Sequence, residues 1–214
     1  MTTSQKAAKI LLTVNAITLS PKKPYKYASG ILSPVYTDCR KLISFPSERK
    51  QIRDLYIQAI KDSGVEFDVV GGTATAGIPH AAWVAEKLNM PMIYIRGKVK
   101  DHGKGNQIEG NLEKGQRVII IEDLISTGES SVESAIAVKN AGGKVSGVFA
   151  IATYSMKKSE ENYKTNKLKH YCITSLSDIL DMAVEMNKIK IEEKEQVLLW
   201  AKDPVGWGKK MGFE

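Results

Sequence analysis

The run Val118-Ile119-Ile120-Ile121 admits few structures, because four uninterrupted β-branched residues fit a central strand of a parallel sheet buried on both faces. A strand of that kind needs helices on both sides, so this stretch implies an α/β fold. Glu122 and Asp123 follow at once and are expected at the strand's carboxyl end. Ser126, Thr127, Gly128, Glu129, Ser130 and Ser131 then read as a turn into a helix that begins with Val132, Ala135 and Ile136. In an open α/β sheet, ligands bind outside the carboxyl ends of the strands. The N–H groups of such a turn, backed by the helix dipole, suit a phosphate. The two acids need a different partner, and vicinal sugar hydroxyls or a metal would both serve. A single acid at a strand end is commonly just a cap. Two acids leading into a hydroxyl-and-glycine loop fit a ribose 5-phosphate better, with its hydroxyls on Glu122 and Asp123 and its phosphate on the loop.

A second small-residue stretch, Gly71-Gly72-Thr73-Ala74-Thr75-Ala76-Gly77, falls between the strand pattern FDVV and the helix pattern HAAWVAEKLN. Alone it would be a tight turn. On the same sheet edge as the first loop it reads as a pyrophosphate site, with the backbone of Gly72, Thr73 and Ala74 approaching the ligand and a strained or cis peptide in keeping with that use. Between the strand PMIYIR and the central strand lies a polar connection from Gly97 to Gly115, carrying Lys98, Lys100, His102 and Lys104 beyond Arg96. Charge runs are usually solvated faces, but those favour helix formers. About nineteen residues without apolar periodicity point instead to a mobile lid, over about residues 97–112. Cations there would meet the negative charge that grows on a departing pyrophosphate, with Lys100 and His102 as donors and His102 able to pass a proton.

The rest of the chain alternates strand and helix patterns in one domain, 1–214, with a hood of short strands over about residues 20–46. Helices are expected over residues 4–18, from an N-cap at Ser47 to Gly64, over 156–166 and after Ser175 or Ser177, with strands at 144–153 and 168–173. A last helix holds Val197, Leu198 and Ala201, and the tail after Pro204 has no assigned structure. His80 reads as a satisfied structural histidine, His170 precedes a strand with no partner in view, and Trp83, Trp200 and Trp207 read as core or interface. Cys39 and Cys172, far apart, read as reduced small hydrophobes. No stretch approaches the ~18 apolar residues of a membrane span. The N-terminus carries no convincing signal peptide, so a cytoplasmic protein is expected. The net charge of +7 fits a polyanionic small substrate, and no basic-aromatic pattern marks a nucleic-acid partner.

The motif from Glu122 to Ser131 resembles the signature of type I phosphoribosyltransferases, which bind phosphoribosyl pyrophosphate (PRPP). The segments YASGILSPVYTDCR, GGTATAGIPHAAWVAEKL, KDHGKGNQIEG and VIIIEDLISTG together resemble the orotate phosphoribosyltransferase family, from about Pro21 to Thr153. That resemblance implies the type I fold, a mainly parallel central sheet with helices on both faces and a small N-terminal hood. It implies transfer of ribose 5-phosphate from PRPP to N1 of orotate in pyrimidine (UMP) synthesis, with Mg²⁺ on the pyrophosphate and a homodimer whose lid is shared across the interface. By the same resemblance Lys100, His102 and Asp123 are catalytic. Arg96, Lys100, His102, Glu122, Asp123, Leu124, Ile125, Ser126, Thr127, Gly128, Glu129 and Ser130 hold PRPP, and Ser126 touches orotate. No direct metal ligand is assigned. The chain departs from many members in having Gly97 after Arg96, Ala28 and Leu32 where the hood often carries a lysine, and Tyr154-Ser155-Met156 where some carry an arginine. Two other readings compete: a phosphoribosyltransferase for another base, which would lack the Lys-x-His-Gly lid, and a non-catalytic regulator on the same fold, which would lose the acid pair.

Overall fold

The computed structural model describes residues 1–27, 29–97 and 107–213. Helix α1 (Thr3–Thr13) is closed by a capping box, the Thr2 hydroxyl accepting from the Gln5 N–H and the Gln5 side chain accepting from the Thr2 N–H. It is shorter than the expected 4–18. Asn15 turns the chain with φ 53°, a left-handed value that asparagine tolerates, and Ile17–Leu19 becomes strand β1.

The hood consists of two small antiparallel pairs, β1 with β4 (Val35–Thr37) and β2 (Tyr25–Lys26) with β3 (Leu32–Ser33). A 3₁₀ turn over Cys39–Ser44 leads to helix α2 (Pro46–Ser63). Pro46, and not a cap at Ser47, opens that helix: proline's fixed φ and missing N–H cost nothing in the first turn. Gly64 ends it in the left-handed region, as the sequence implied.

The remaining elements are β5 (Val69–Thr73), α3 (Gly77–Leu88), β6 (Met92–Ile95), β7 (Ile108–Glu109), β8 (Arg117–Ile125), α4 (Glu129–Asn140), β9 (Lys144–Thr153), α5 (Lys157–Thr165), β10 (His170–Ser175), α6 (Leu176–Glu185), α7 (Ile191–Lys202) and α8 (Trp207–Lys210). Six strands form one sheet in the order β10-β9-β8-β5-β6-β7, parallel except for β7, which runs antiparallel to β6. The polar connection 97–115 is thus partly structured, since Ile108 pairs with Ile95 and Glu109 with Tyr94. A two-residue strand is too short to show a period of two in sequence.

Alternating residues of the central strands face two cores. Ile119, Ile121, Phe149 and Ile151 pack with α1, α2, α3, α6 and α7, while Val118, Ile120, Val148 and Ala150 pack with α4 and α5. At the amino ends, the Arg117 guanidinium bonds both oxygens of Asp68 at 3.0 and 2.8 Å and holds that carboxyl at about 2, which ties the approach to β5 to the start of β8. From β5 the chain crosses by α3 to β6 on one side, and from β8 by α4 to β9 on the other. The strand order therefore reverses between β5 and β8, and their carboxyl ends flank the crevice where α/β sheets bind ligands.

Candidate active site

Glu122 and Asp123 lie inside β8 and not at its end. The register continues past them, with Glu122 opposite Ala150, Leu124 opposite Ala152 and Ile125 opposite Thr153. Because β9 runs alongside as far as Ile125, its backbone still offers partners where the side chains turn polar. Glu122 is buried and Asp123 half-buried. The Asp123 N–H donates to Glu122 Oε1 at 3.1 Å, and Tyr56 on α2 donates its hydroxyl to the Glu122 backbone carbonyl.

Burial holds the Glu122 carboxyl well above the usual range, and the neighbouring Asp123 charge pushes the same way. The Thr73 hydroxyl near it opposes the shift without closing a hydrogen bond. Burial also raises Asp123, against hydrogen bonds from Glu122 and the Leu124 backbone and the positive charge of Arg40. Such a pair accepts hydrogen bonds from hydroxyls readily, because each bond offsets the cost of burying charge. Among the described residues neither Glu122 Oε2 nor Thr73 Oγ1, both buried, has a hydrogen-bond partner. Two buried oxygens at the β5–β8 seam therefore stand without a protein partner among the described residues.

The seam is close because Gly77 opens α3 against it: a Cβ there would overlap the Ile121 carbonyl oxygen. Gly72 lies within β5, opposite Tyr94 and Ile121, with Thr73 next to it. The Ala74 N–H donates to the Ile95 carbonyl at 2.8 Å, and the Ala74–Thr75 peptide is cis, one of the two conformations in keeping with this loop. Gly72, Thr73 and Ala74 thus reach the same edge as the acid pair.

Beyond Ile125 the chain forms a loop through Ser126 and Thr127 and enters α4 one turn earlier than expected, at Glu129. Gly128 takes φ 78° as the residue before the helix, and its lack of a side chain admits the Tyr163 ring, which a Cβ would meet at 2.9 Å. Ser126 and Thr127 are half-buried, whereas Glu129 and Ser130 are exposed at the first turn of α4. Their N–H groups stand at a helix N-terminus, the arrangement that receives a phosphate.

The hood meets this edge through Tyr154, just after β9. Its hydroxyl donates to Thr37 Oγ1 at 2.7 Å and its N–H to the Ile125 carbonyl at 3.0 Å, while Trp200 Nε1 donates to the Leu32 carbonyl at 3.1 Å. Tyr154, Trp200 and Trp207 are buried, and Trp83 is half-buried. Arg96 follows β6 and pairs with Glu109 Oε1 at 3.5 Å across the start of β7. Lys98, Lys100, His102 and Lys104, like Ala28, lie outside the described residues.

His80 is buried on α3 with the Trp83 ring edge-on at 5.4 Å, but neither ring nitrogen has a partner among the described residues. It is structural without being satisfied, and burial lowers its pKa to about 4. His170 does have partners, Glu160 Oε1 at 3.3 Å and the Tyr163 ring at 4.2 Å between centroids. Both cysteines are free, Cys39 buried and Cys172 half-buried. Tyr56, Asn162 and Tyr163 escaped the sequence reading, because a tyrosine on an apolar helix face or an asparagine in a polar helix carries no motif.

A sequence profile of the phosphoribosyl transferase domain matches residues 44–193. An orotate phosphoribosyltransferase of Enterococcus faecalis is 49% identical over 208 residues, covering 96% of this chain and 98% of that protein. One from Coxiella burnetii is 44% identical over 207 residues, covering 97% and 99%. Among solved structures, the orotate phosphoribosyltransferase of Aeropyrum pernix superposes with a TM-score of 0.73 at 27% identity, covering 85% of this chain and 98% of that one.

Proposed function

Because this chain belongs to the phosphoribosyltransferase family, in its orotate phosphoribosyltransferase branch, we propose a division of labour along the carboxyl edge of its sheet. The reaction is transfer of ribose 5-phosphate from PRPP to N1 of orotate, giving orotidine 5′-phosphate and pyrophosphate, a step of pyrimidine synthesis. The observation that carries the assignment to this edge is the buried acid pair in β8, running directly into the Ser126–Ser131 loop. Glu122 and Asp123 accept from the ribose hydroxyls and steady the positive charge that develops at C1 and the ring oxygen. The loop from Ser126 to Ser130 takes the 5-phosphate, and Gly72, Thr73 and Ala74 take the pyrophosphate. The hood and Ser126 border the base. The base's carboxylate is assigned to backbone N–H groups of the hood near Ser29, since that of Gly30 already donates to the Tyr27 carbonyl at 2.8 Å. No protein nucleophile is required.

Arg96, Lys100 and His102 are assigned to the leaving pyrophosphate, where contacts that strengthen as the C1–O bond stretches lower the barrier. We assign them to the partner's site in a homodimer, with the part of the 97–112 segment ahead of β7 as the shared lid that keeps water from C1, since Ile108 and Glu109 are paired into the sheet. Mg²⁺ is the metal proposed. The unpartnered oxygens of Glu122 and Thr73 are hard donors of the kind it accepts, and among the described residues no cluster of three or more His, Cys, Asp or Glu gathers. Most of its ligands would then come from PRPP, whose charge it would neutralise. Among the described residues no helix is long and apolar enough to cross a membrane, and we place the enzyme in the cytoplasm with small molecules as its partners.

Pyrophosphate release with PRPP and Mg²⁺ tests the assignment, with orotate, uracil, hypoxanthine and adenine offered in turn. Release with orotate alone is expected. Release with a purine in place of orotate would contradict it.

A further inference from the structure

The phosphate-binding loop is held from behind by α5, a helix with no part in the chemistry above. Asn162 Nδ2 donates to the Thr127 carbonyl at 2.8 Å. Ser131 Oγ donates to the Gly128 carbonyl at 3.1 Å and also shares a 2.6 Å hydrogen bond with the Tyr163 hydroxyl. The Tyr163 ring fills the space that a side chain at Gly128 would take. The two carbonyls engaged, those of Thr127 and Gly128, are successive. Anchoring both fixes the orientation of the peptide planes between them, and with it the direction of the N–H groups that follow at the start of α4.

Tyr163 is itself fixed. It is buried, its ring packs against His170 on β10, and its backbone carbonyl accepts from the Leu168 N–H at 3.0 Å. Ser131 is also buried, so the Ser131–Tyr163 pair is shielded from water that could replace either partner. The loop thus hangs from a rigid frame of α5 and β10.

We propose that Asn162 and Tyr163 are positioning residues for phosphate binding, presetting the Thr127–Gly128 backbone so that the loop's N–H groups converge before substrate arrives. The inference rests on the assignment of this loop to the 5-phosphate. Preorganisation of this kind raises affinity by removing the ordering cost of binding, and it acts on one substrate only. Orotate meets the hood and, of this loop, only Ser126, which precedes the two anchored carbonyls, so it should register little of the loss.

The test uses the full chain with Tyr163→Phe, which removes only the hydroxyl, and Asn162→Ala. Ribose 5-phosphate affinity is measured by calorimetry, and KM is measured separately for PRPP and orotate. Both variants should bind ribose 5-phosphate about tenfold more weakly, the size of one lost hydrogen bond. KM for PRPP should rise in step, while KM for orotate stays within about twofold. Lys164→Ala, an exposed change on the same helix, should leave all three values alone. Adding Ser131→Ala to Tyr163→Phe should cost less than the two single changes summed, because they share one contact. Native-like ribose 5-phosphate affinity in both folded variants overturns the inference, as does a lowered melting temperature with unchanged affinity. If the native chain itself does not bind ribose 5-phosphate, the assignment of the loop falls, and this inference with it.

Discussion

The hydroxyl of Tyr56, on α2, donates to the backbone carbonyl of Glu122, 66 residues further along the chain, and both residues are buried. This bond fixes the peptide that joins the two acids from the side opposite α4. Tyr56→Phe keeps the ring and leaves that carbonyl without its partner. We expect a loss of about 1–3 kcal/mol in denaturant unfolding, with a fall in kcat/KM for PRPP. Unchanged stability would mean that the bond contributes nothing.

Burying the Glu122 carboxyl costs stability at neutral pH. Its folded carboxyl is held above the unfolded value of 4.5 by burial and by Asp123. The native state therefore binds the proton more tightly than the unfolded chain, so this group favours folding below that value, and the advantage is lost as pH rises through the folded pKa. Glu122→Gln should raise the melting temperature near neutral pH, and by less near pH 4. The same variant should lose at least about tenfold in kcat/KM. A melting temperature that falls at neutral pH would contradict the electrostatic reading.

His80 has the opposite sign. Its pKa drops from 6.5 in the unfolded chain to about 4 in the fold, through burial. The unfolded state thus binds the extra proton first, and stability is lost as pH falls from 6.5 toward 4, by roughly 3 kcal/mol in full. His80→Leu should flatten this acid limb in denaturant titrations at pH 7, 5.5 and 4.5. An identical pH profile in the variant would sink the idea.

How far the sequence led differs from element to element. The strand Lys144–Thr153 and the cap at Gly64 were legible because each rests on a local rule, and of the two serines offered as the cap of α6 the structure uses Ser175. The acid pair was misplaced as geometry: acids read as the end of a strand, yet β9 carries the pairing on to Ile125. Strand β7 was missed because two residues have no period. Pro46 against Ser47 shows two local rules competing for one helix start, with the proline setting the boundary. The residues behind the site, Tyr56, Asn162 and Tyr163, became visible only once the chain had folded, because their roles depend on partners 30 to 70 residues away.

The lid proposal predicts complementation. Lys100→Ala should lower kcat far more than it weakens orotate binding, since its contact matters in the transition state. If the lid acts across a dimer, mixing Lys100→Ala with Asp123→Asn subunits should yield hybrids with one intact site and partial activity. Mixtures as inactive as their parents would place the lid within its own chain.

The acid pair as the ribose-holding half of an orotate phosphoribosyltransferase site is tested most directly by orotate absorbance after mixing with PRPP and Mg²⁺, in the native chain and in Asp123→Asn. The native protein should consume orotate only when PRPP is present, and the variant should consume it at least about a hundredfold more slowly. A native chain that leaves orotate untouched, or a variant as fast as the native chain, contradicts the account.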